Sequence, residues 1–181
     1  MKVDANLLGD LADVVGKVRE VEAAGYSGAW TAEMAHDPFL PLLLAAQNTS
    51  ELDIGTSIAV AFARSPMTVA NTAWDLQAYS QGRFVLGLGS QIRPHITNRF
   101  SMEWSHPARR MREYVLAVRA IWNTWLTGEK LDFRGEFYTH TVMTPYFAPE
   151  RRDLAGVGLP RVFVAGVGEL MTEVAGEIAD G

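Results

Sequence analysis

Short apolar runs alternate along the chain with longer stretches in which apolar residues recur every three or four positions. The short runs predict buried β-strands, and the longer stretches predict amphipathic helices. We expect five strands, at 3–8, 27–34, 53–62, 83–89 and 161–168. Because a helical stretch follows each strand and the strands are nearly all apolar, the pattern predicts βα units around a parallel sheet covered on both faces.

Cap and stop residues delimit the predicted helices. A serine or aspartate followed by an apolar periodic stretch indicates a helix start, proline favours the first turn, and glycine favours the end. We expect helices that start at Asp10, Pro38, Ser65-Pro66, Pro107 and Met171, with stops at Gly25, Gly82 and Gly128. On the fourth helix, Trp122 and Trp125 lie on one apolar stripe and are predicted to pack in a core or a dimer contact.

The chain has no internal repeat and no composition typical of a linker, so we expect residues 1–181 to form a single domain. The one irregular region is 131–160. It begins with strand-like alternation and then contains several prolines. We predict an excursion there, a hairpin or an extended segment, between the fourth helix and the fifth strand.

Composition narrows the range of partners. The 181 residues are 48% hydrophobic and carry a net charge of −5, which favours neither nucleic acid nor an anionic membrane as a partner. There is no cysteine, so disulfides and thiolate metal sites are excluded, and the four histidines show no metal-binding spacing. No signal-peptide run and no membrane-spanning stretch are visible, so we expect a cytoplasmic protein.

The predicted strands end in small or polar residues. Two glycines in "GLGSQI" begin like a dinucleotide-binding fingerprint, but Ile92 stands where the third glycine belongs, so the Rossmann interpretation fails. In a (β/α)8 barrel, the carboxyl ends of the strands form the active-site face. A glycine turn at that face leaves room for a ligand shared among several strands.

Several segments resemble the bacterial luciferase-like family, in its branch of oxidoreductases that use the deazaflavin coenzyme F420. They are "GAWTAEMAHDPF", "IGTSIAVAFARSP", "TAWDLQAYSQGRFVLGLGSQ", "RMREYVLAVRAIW", "FRGEFY" and "VFVAGVG…AGEIADG". The resemblance implies an α/β fold of the (β/α)8 TIM-barrel type. Relatives have eight βα units, so this chain, with about five, is expected to form an incomplete barrel. FMN is the alternative cofactor, because flavin monooxygenases share the barrel.

The resemblance also implies where the cofactor binds. Family members carry a non-proline cis peptide against the deazaflavin ring, which by position is Ser57-Ile58, followed by Ala59. Ser90 and Gln91 are expected near the ring edge or the ribityl chain. The turn at Gly166 and Gly168 is expected to hold the cofactor phosphate, because the backbone N–H groups and dipole of a helix start attract anions.

Glu33 and His36 are the candidates for acid–base catalysis. Relatives often place an acidic residue directly before a histidine at the end of the second strand, whereas here Met34 follows Glu33 and the histidine comes two positions later. His36 is predicted either to face the cofactor or substrate or to bond to Asp37 in a surface loop. Glu33 is predicted either to move a proton or to form a salt bridge at the barrel rim.

Taken with the resemblance, the sequence predicts an oxidoreductase that transfers hydride between F420 and a small organic substrate, and that forms a homodimer. One alternative is an FMN-dependent monooxygenase acting with O₂. Another is a non-catalytic, truncated barrel that needs a partner chain, because an open sheet exposes strand edges and apolar surface.

Overall fold

The computed structural model describes residues 1–150 and 154–181. Six strands form one parallel sheet, and two more form a small antiparallel hairpin. The strands are β1 (Asp4–Asn6), β2 (Gly28–Thr31), β3 (Asp53–Thr56), β4 (Ala59–Val60), β5 (Phe84–Gly89), β6 (Phe133–Arg134), β7 (Thr139–His140) and β8 (Arg161–Val164). The sheet runs β1-β2-β3-β5, and β4 and β8 also pair with β5 in parallel. The predicted parallel α/β architecture is confirmed.

Helices follow the strands of the sheet, as the alternating pattern predicts. They are α1 (Val14–Ala23), α2 (Leu40–Asn48), α3 (Pro66–Tyr79), α4 (Pro107–Thr127) and α5 (Glu169–Ile178). Neighbouring helices pack side by side, α1 on α2, α3 on α4 and α4 on α5. This succession of βα units is the arrangement of a barrel wall, in which each helix covers the outside of the sheet.

Most of the predicted helix ends are confirmed by local geometry. The Ser65 hydroxyl accepts a hydrogen bond from the Thr68 N–H at 3.2 Å and caps α3. Gly25, Gly82 and Gly128 follow their helices with φ of 78°, 90° and 77°. These positive φ angles are accessible to glycine at no steric cost.

Three predicted helix starts are corrected, and one of them is that of α5, which begins at Glu169 and not at Met171. α2 begins at Leu40 and not at Pro38, because the Asp37 carboxylate accepts hydrogen bonds from the N–H groups of Phe39 (2.8 Å) and Leu40 (3.3 Å). Asp10 precedes a short 3₁₀ turn, Leu11–Asp13, and its side chain caps nothing. The α-helix itself starts at Val14.

The predicted third strand is interrupted. β3 ends at Thr56 and β4 begins at Ala59, and the Ser57-Ile58 peptide bond between them is cis, at the position that the resemblance implies. After the interruption the chain pairs again with β5, through Ala59 opposite Leu88 and Val60 opposite Gly89.

The tryptophan stripe of α4 packs in the core. Trp122 and Trp125 are 1% and 2% exposed. The Trp122 indole N–H donates to the Ala70 carbonyl of α3 at 3.1 Å, and Trp125 packs edge-on against Trp74 at a centroid distance of 5.3 Å. Because these contacts join α4 to α3, the stripe packs the two helices together. Both tryptophans are buried in the core and do not provide a dimer contact.

The predicted excursion at 131–160 contains the β6–β7 hairpin, and residues 151–153 of it lie outside the described residues. Glu113 of α4 holds the hairpin, because its carboxylate accepts hydrogen bonds from the N–H groups of residues 136–138 at 2.6–2.8 Å. The hairpin is thereby fixed beside the start of α4.

Candidate functional site

A cavity of about 800 Å³ opens at the carboxyl ends of β5 and β8. The starts of α4 and α5 form its other walls. We call it the strand-end cavity. Its lining is mostly apolar, with a few polar groups, which is the usual composition of a small-molecule site. The lining comprises residues 58, 89–93, 104, 106–109, 165 and 167–171.

Four of the residues predicted to bind a cofactor line this cavity: Ile58, Ser90, Gln91 and Gly168. Three do not. Ser57 lines a second, smaller cavity of about 390 Å³ beside the strands of the sheet, which Ile58 also lines. Ala59 and Gly166 line neither of the two cavities.

Gly89 shows why this part of the chain needs glycine. A Cβ atom added there would lie 2.7 Å from Cγ1 of Ile58, closer than two carbon atoms approach in proteins. The Ile58 side chain therefore rests directly on the backbone of β5. Gly89 and Ile58 together form part of the wall of the strand-end cavity.

The turn after β5 is held by its own side chains. Gln91 has a positive φ of 59°. Its side-chain oxygen accepts a hydrogen bond from the Ile92 N–H at 3.1 Å and lies 3.2 Å from Nδ1 of His95. The Ser90 hydroxyl donates to the Gln91 carbonyl at 3.2 Å. The turn thus presents Ser90 and Gln91 to the cavity in a fixed arrangement.

The turn before α5 also meets the cavity. Gly168 has φ of 82°, and nothing lies within 4 Å of where its Cβ would be. The Thr172 N–H and hydroxyl both donate to the Gly168 carbonyl at 3.0 Å, which begins the helix. The first N–H groups of a helix have no partner within the helix and favour an anion, although Glu169 places a carboxylate in the same turn.

Glu33 lies outside both cavities. Its side chain is 5% exposed, and its carboxylate accepts hydrogen bonds from Arg64 at 2.6 Å and from the Val60 N–H at 2.7 Å. Arg64 also donates to Asp37 at 3.1 Å. Burial tends to lower the pKa of Arg64, but the hydrogen bonds and negative charges of Glu33 and Asp37 outweigh it and raise the pKa. The predicted salt bridge therefore exists, and the acid–base role of Glu33 stays a prediction.

His36 lies in an exposed loop, with 64% of its side chain accessible. Its closest charged neighbour is Asp10, with Nε2 3.8 Å from a carboxylate oxygen. Asp37 bonds instead to Arg64 and to the start of α2, so it does not orient the imidazole. His36 lines neither cavity, and its catalytic role also stays a prediction.

Among the residues that line the strand-end cavity and that the sequence did not mark as functional are Arg93, Trp104 and His106. His106 precedes Pro107 at the start of α4, with a left-handed backbone conformation at φ 39°. A histidine directly before a proline helix start was the available signal. It was overlooked because nothing in the spacing shows that this helix start faces the end of β5.

Within the described ranges, no three acidic, histidine or cysteine side chains come together as a metal site. No α-helix in those ranges is both long and apolar enough to cross a membrane.

Parallel strands whose carboxyl ends open into an apolar cavity are typical of barrel enzymes. The sequence model of the luciferase-like monooxygenase family matches residues 2–181, and the chain therefore belongs to that family. An uncharacterized protein of Mycobacterium tuberculosis is 60% identical over 181 residues, which are all of this chain and 52% of that protein. The chain spans about half the length of the curated relatives it matches.

More distant relatives carry named activities. An F420-dependent glucose-6-phosphate dehydrogenase of Rhodococcus jostii is 30% identical over 159 residues, which cover 84% of this chain and 44% of that one. Among solved structures, the oxygenating constituent of 3,6-diketocamphane monooxygenase from Pseudomonas putida, in complex with FMN, has a TM-score of 0.76. It is 15% identical, and the match covers 92% of this chain and 52% of that one. This likeness shows the barrel fold.

Proposed function

We propose that the chain provides the cofactor-binding part of an oxidoreductase that uses F420 and a small organic substrate. The observation that carries the proposal is the strand-end cavity, in which Ile58, Ser90, Gln91 and Gly168 come together from three separate parts of the chain. The F420-dependent relative from R. jostii favours F420 as the cofactor. Bound there, F420 would supply the carbon that gives or takes a hydride, while the protein supplies orientation.

The residues present fit such a cofactor. Ile58 and Gly89 give the cavity an apolar wall, as binding sites for organic molecules usually have. Ser90 and Gln91 border it with polar groups, and the start of α5 offers N–H groups for a phosphate. Gly168 leaves the space next to those N–H groups open, since no atom lies within 4 Å of its Cβ position.

A redox reaction of this kind also needs a group that moves a proton. Of the two predicted candidates, His36 has the accessible side chain, whereas the Glu33 carboxylate is held by Arg64. His106 is a third candidate, because it lines the cavity and histidine titrates near neutral pH. We propose His106 as the proton carrier, with His36, which is accessible but lines neither cavity, as the alternative. Changing each to glutamine and comparing the pH dependence of turnover distinguishes them.

Binding experiments test the cofactor. The purified chain is titrated with F420 and with FMN, and absorbance and thermal unfolding are followed. We expect saturable binding of F420. Preferential binding of FMN would favour the monooxygenase alternative, which the FMN complex of the structural relative motivates. No saturable response to either cofactor would overturn the proposed function. Gel filtration of the same sample tests the predicted homodimer and the alternative that a partner chain is needed.

Two glycines provide a matched pair of variants for the phosphate site. Gly168 and Gly156 have φ of 82° and 85°, and neither has an atom within 4 Å of its Cβ position. Changing either to alanine costs about 1 kcal/mol of stability, because positive φ disfavours a side chain. We expect only Gly168→Ala to weaken F420 binding, since only Gly168 lines the cavity. Equal affinities of the two variants would contradict the phosphate assignment.

A further inference from the structure

The segment Ser57–Val60 contributes Ile58 to the lining of both cavities, which Ala165 also lines. On one side this segment is fixed by β5. Ala59 and Val60 pair with Leu88 and Gly89, and the Ile58 side chain rests on Gly89. The position of the Ile58 side chain therefore sets the shape of the wall that a ligand in the strand-end cavity meets.

On its other side the segment is held at its start by the Thr31 carbonyl, which accepts a hydrogen bond from the Ser57 N–H at 2.6 Å, and further along by Glu33. The Glu33 N–H donates to the Ile58 carbonyl at 3.2 Å. The Glu33 carboxylate accepts a hydrogen bond from the Val60 N–H at 2.7 Å. Glu33 thus bonds to the backbone on both sides of Ala59, using its own backbone for one bond and its side chain for the other.

The same carboxylate is closed off from ligands. It is almost fully buried, it lines neither cavity, and the oxygen that bonds to Val60 also accepts from Arg64 at 2.6 Å. A proton carrier has to come within hydrogen-bond reach of the reacting molecule. The geometry of Glu33 suits a fixed acceptor of hydrogen bonds better than it suits proton transfer.

We propose that Glu33 is a positioning residue, which clamps Ser57–Val60 so that the Ile58 side chain keeps its place in the wall of the strand-end cavity. This inference rests on the proposed function, in which that wall receives the ring of a cofactor. This role requires a side chain long enough to place an acceptor oxygen within hydrogen-bond distance of the Val60 N–H. A negative charge is not required for that bond.

Two substitutions separate reach from charge. Glu33→Gln keeps the length of the side chain and an acceptor oxygen but removes the charge. Glu33→Asp keeps the charge and a partner for Arg64, but it is one methylene shorter and falls short of the Val60 N–H. Asp37→Asn is the matched control, because it removes a charge from the same arginine without a contact to residues 57–60.

The first measurement is amide hydrogen exchange of Val60, which needs no cofactor. Losing one hydrogen bond of ordinary strength corresponds to about a tenfold change in an equilibrium. We expect Val60 exchange to be about tenfold faster in Glu33→Asp and within about threefold of the parent in Glu33→Gln and Asp37→Asn. The second measurement is the F420 dissociation constant. We expect Glu33→Asp to weaken F420 binding, and Glu33→Gln and Asp37→Asn to bind F420 nearly as the parent does.

The inference is overturned if the two Glu33 variants affect Val60 exchange and F420 binding in the opposite order. If Glu33→Gln accelerates Val60 exchange and weakens binding while Glu33→Asp does neither, then the charge matters and the reach does not. Equal exchange in all variants also overturns it. If the parent chain binds neither F420 nor FMN, the proposed function is wrong, and the exchange order alone then decides whether Glu33 clamps the segment.

Discussion

The two ends of the parallel sheet are built differently. At the amino end, charged side chains form hydrogen bonds mainly with backbone groups. Arg83 makes five hydrogen bonds to oxygen atoms of Ala46, Thr49, Leu52 and Ser80. The Glu22 carboxylate accepts from the N–H groups of residues 50–52. At the carboxyl end, Ser90, Gln91 and the first turn of α5 face an open cavity.

This difference assigns fold stability to the amino end of the sheet and ligand binding to its carboxyl end. Polar groups that bond to the backbone at the amino end tie α2, α3 and their strands together. At the carboxyl end, Ser90 and Gln91 line the cavity while their side chains also hold the turn, and in barrel enzymes generally this end carries the active site. The comparison predicts that substitutions at the amino end change unfolding and leave cofactor affinity alone, and that those around the cavity change affinity. The substitutions below test it.

The largest expected effect is at Arg83. Arg83→Met keeps the aliphatic stem but leaves buried carbonyl oxygens without a donor, so we expect a loss of about 2–4 kcal/mol in the free energy of unfolding. Urea denaturation measures it. Arg19→Met is the control, because Arg19 is exposed and makes one side-chain bond, to Asn48, and it should change stability by less than about 0.5 kcal/mol. A comparable loss in both variants would contradict the assignment.

Gly89→Ala tests the role of the carboxyl end of the sheet in cofactor binding. The added methyl group would lie 2.7 Å from Ile58 Cγ1, so the Ile58 side chain has to move. We expect a stability loss of about 1–3 kcal/mol, as for other overpacked sites, and about a tenfold weaker affinity for F420. Isothermal titration measures the affinity.

Gly176→Ala is the control for that substitution. Gly176 lies inside α5, and no atom lies within 4 Å of its Cβ position. Alanine is the better helix former, so we expect up to about 1 kcal/mol of added stability and an unchanged F420 affinity. If both glycine variants bind F420 as the parent does, the wall of the cavity is not where the cofactor packs.

A smaller effect is expected at Glu22 and depends on pH. Burial tends to raise the pKa of Glu22, but hydrogen bonds from the N–H groups of residues 50–52 outweigh it and lower the pKa below the ordinary value of 4.5. A lowered pKa in the folded state stabilises the protein above the ordinary value, and this contribution is lost as pH falls through the folded pKa.

Glu22→Gln removes that titration. We expect the stability of the parent chain to fall more steeply than that of the variant as pH decreases from about 5 to about 3. Thermal unfolding at a series of pH values measures the slopes. Parallel curves would show that Glu22 does not hold the start of β3 through its charge.

The smallest effect is expected for the Arg112–Glu177 pair that joins α4 to α5. The guanidinium bonds to both carboxylate oxygens at 2.8 and 2.9 Å, but both side chains are about half exposed. Exposed pairs contribute little and are screened by salt. Arg112→Ala should shift the unfolding midpoint slightly at low salt and not at high salt. A shift that persists at high salt would contradict a surface role.

The sequence predicted the parallel βα architecture because strands and helices differ in the spacing of their apolar residues, and that spacing is local. The caps at Ser65 and the stops at Gly25, Gly82 and Gly128 were predicted for the same reason. The start of α2 was not, because Asp37 competes with Pro38 by bonding to the backbone of residues 39 and 40.

The site was predicted less completely because it depends on contacts between distant segments. The resemblance indicated the strand ends and the Ser57-Ile58 position. It did not indicate that Arg64 would form an ion pair with Glu33, 31 residues earlier in the chain, or that His106 would line the cavity. Such contacts follow from how helices pack on the sheet, and the sequence pattern around each residue does not carry that information.

Amide hydrogen exchange with and without F420 tests the central claim most directly, because it shows in one experiment whether the cofactor binds and where. We predict saturable binding that slows exchange at residues 89–92 and 165–171 and leaves residues 49–52 and 80–83 at the amino end unchanged. Protection confined to the amino end, or no binding of F420, would contradict the account.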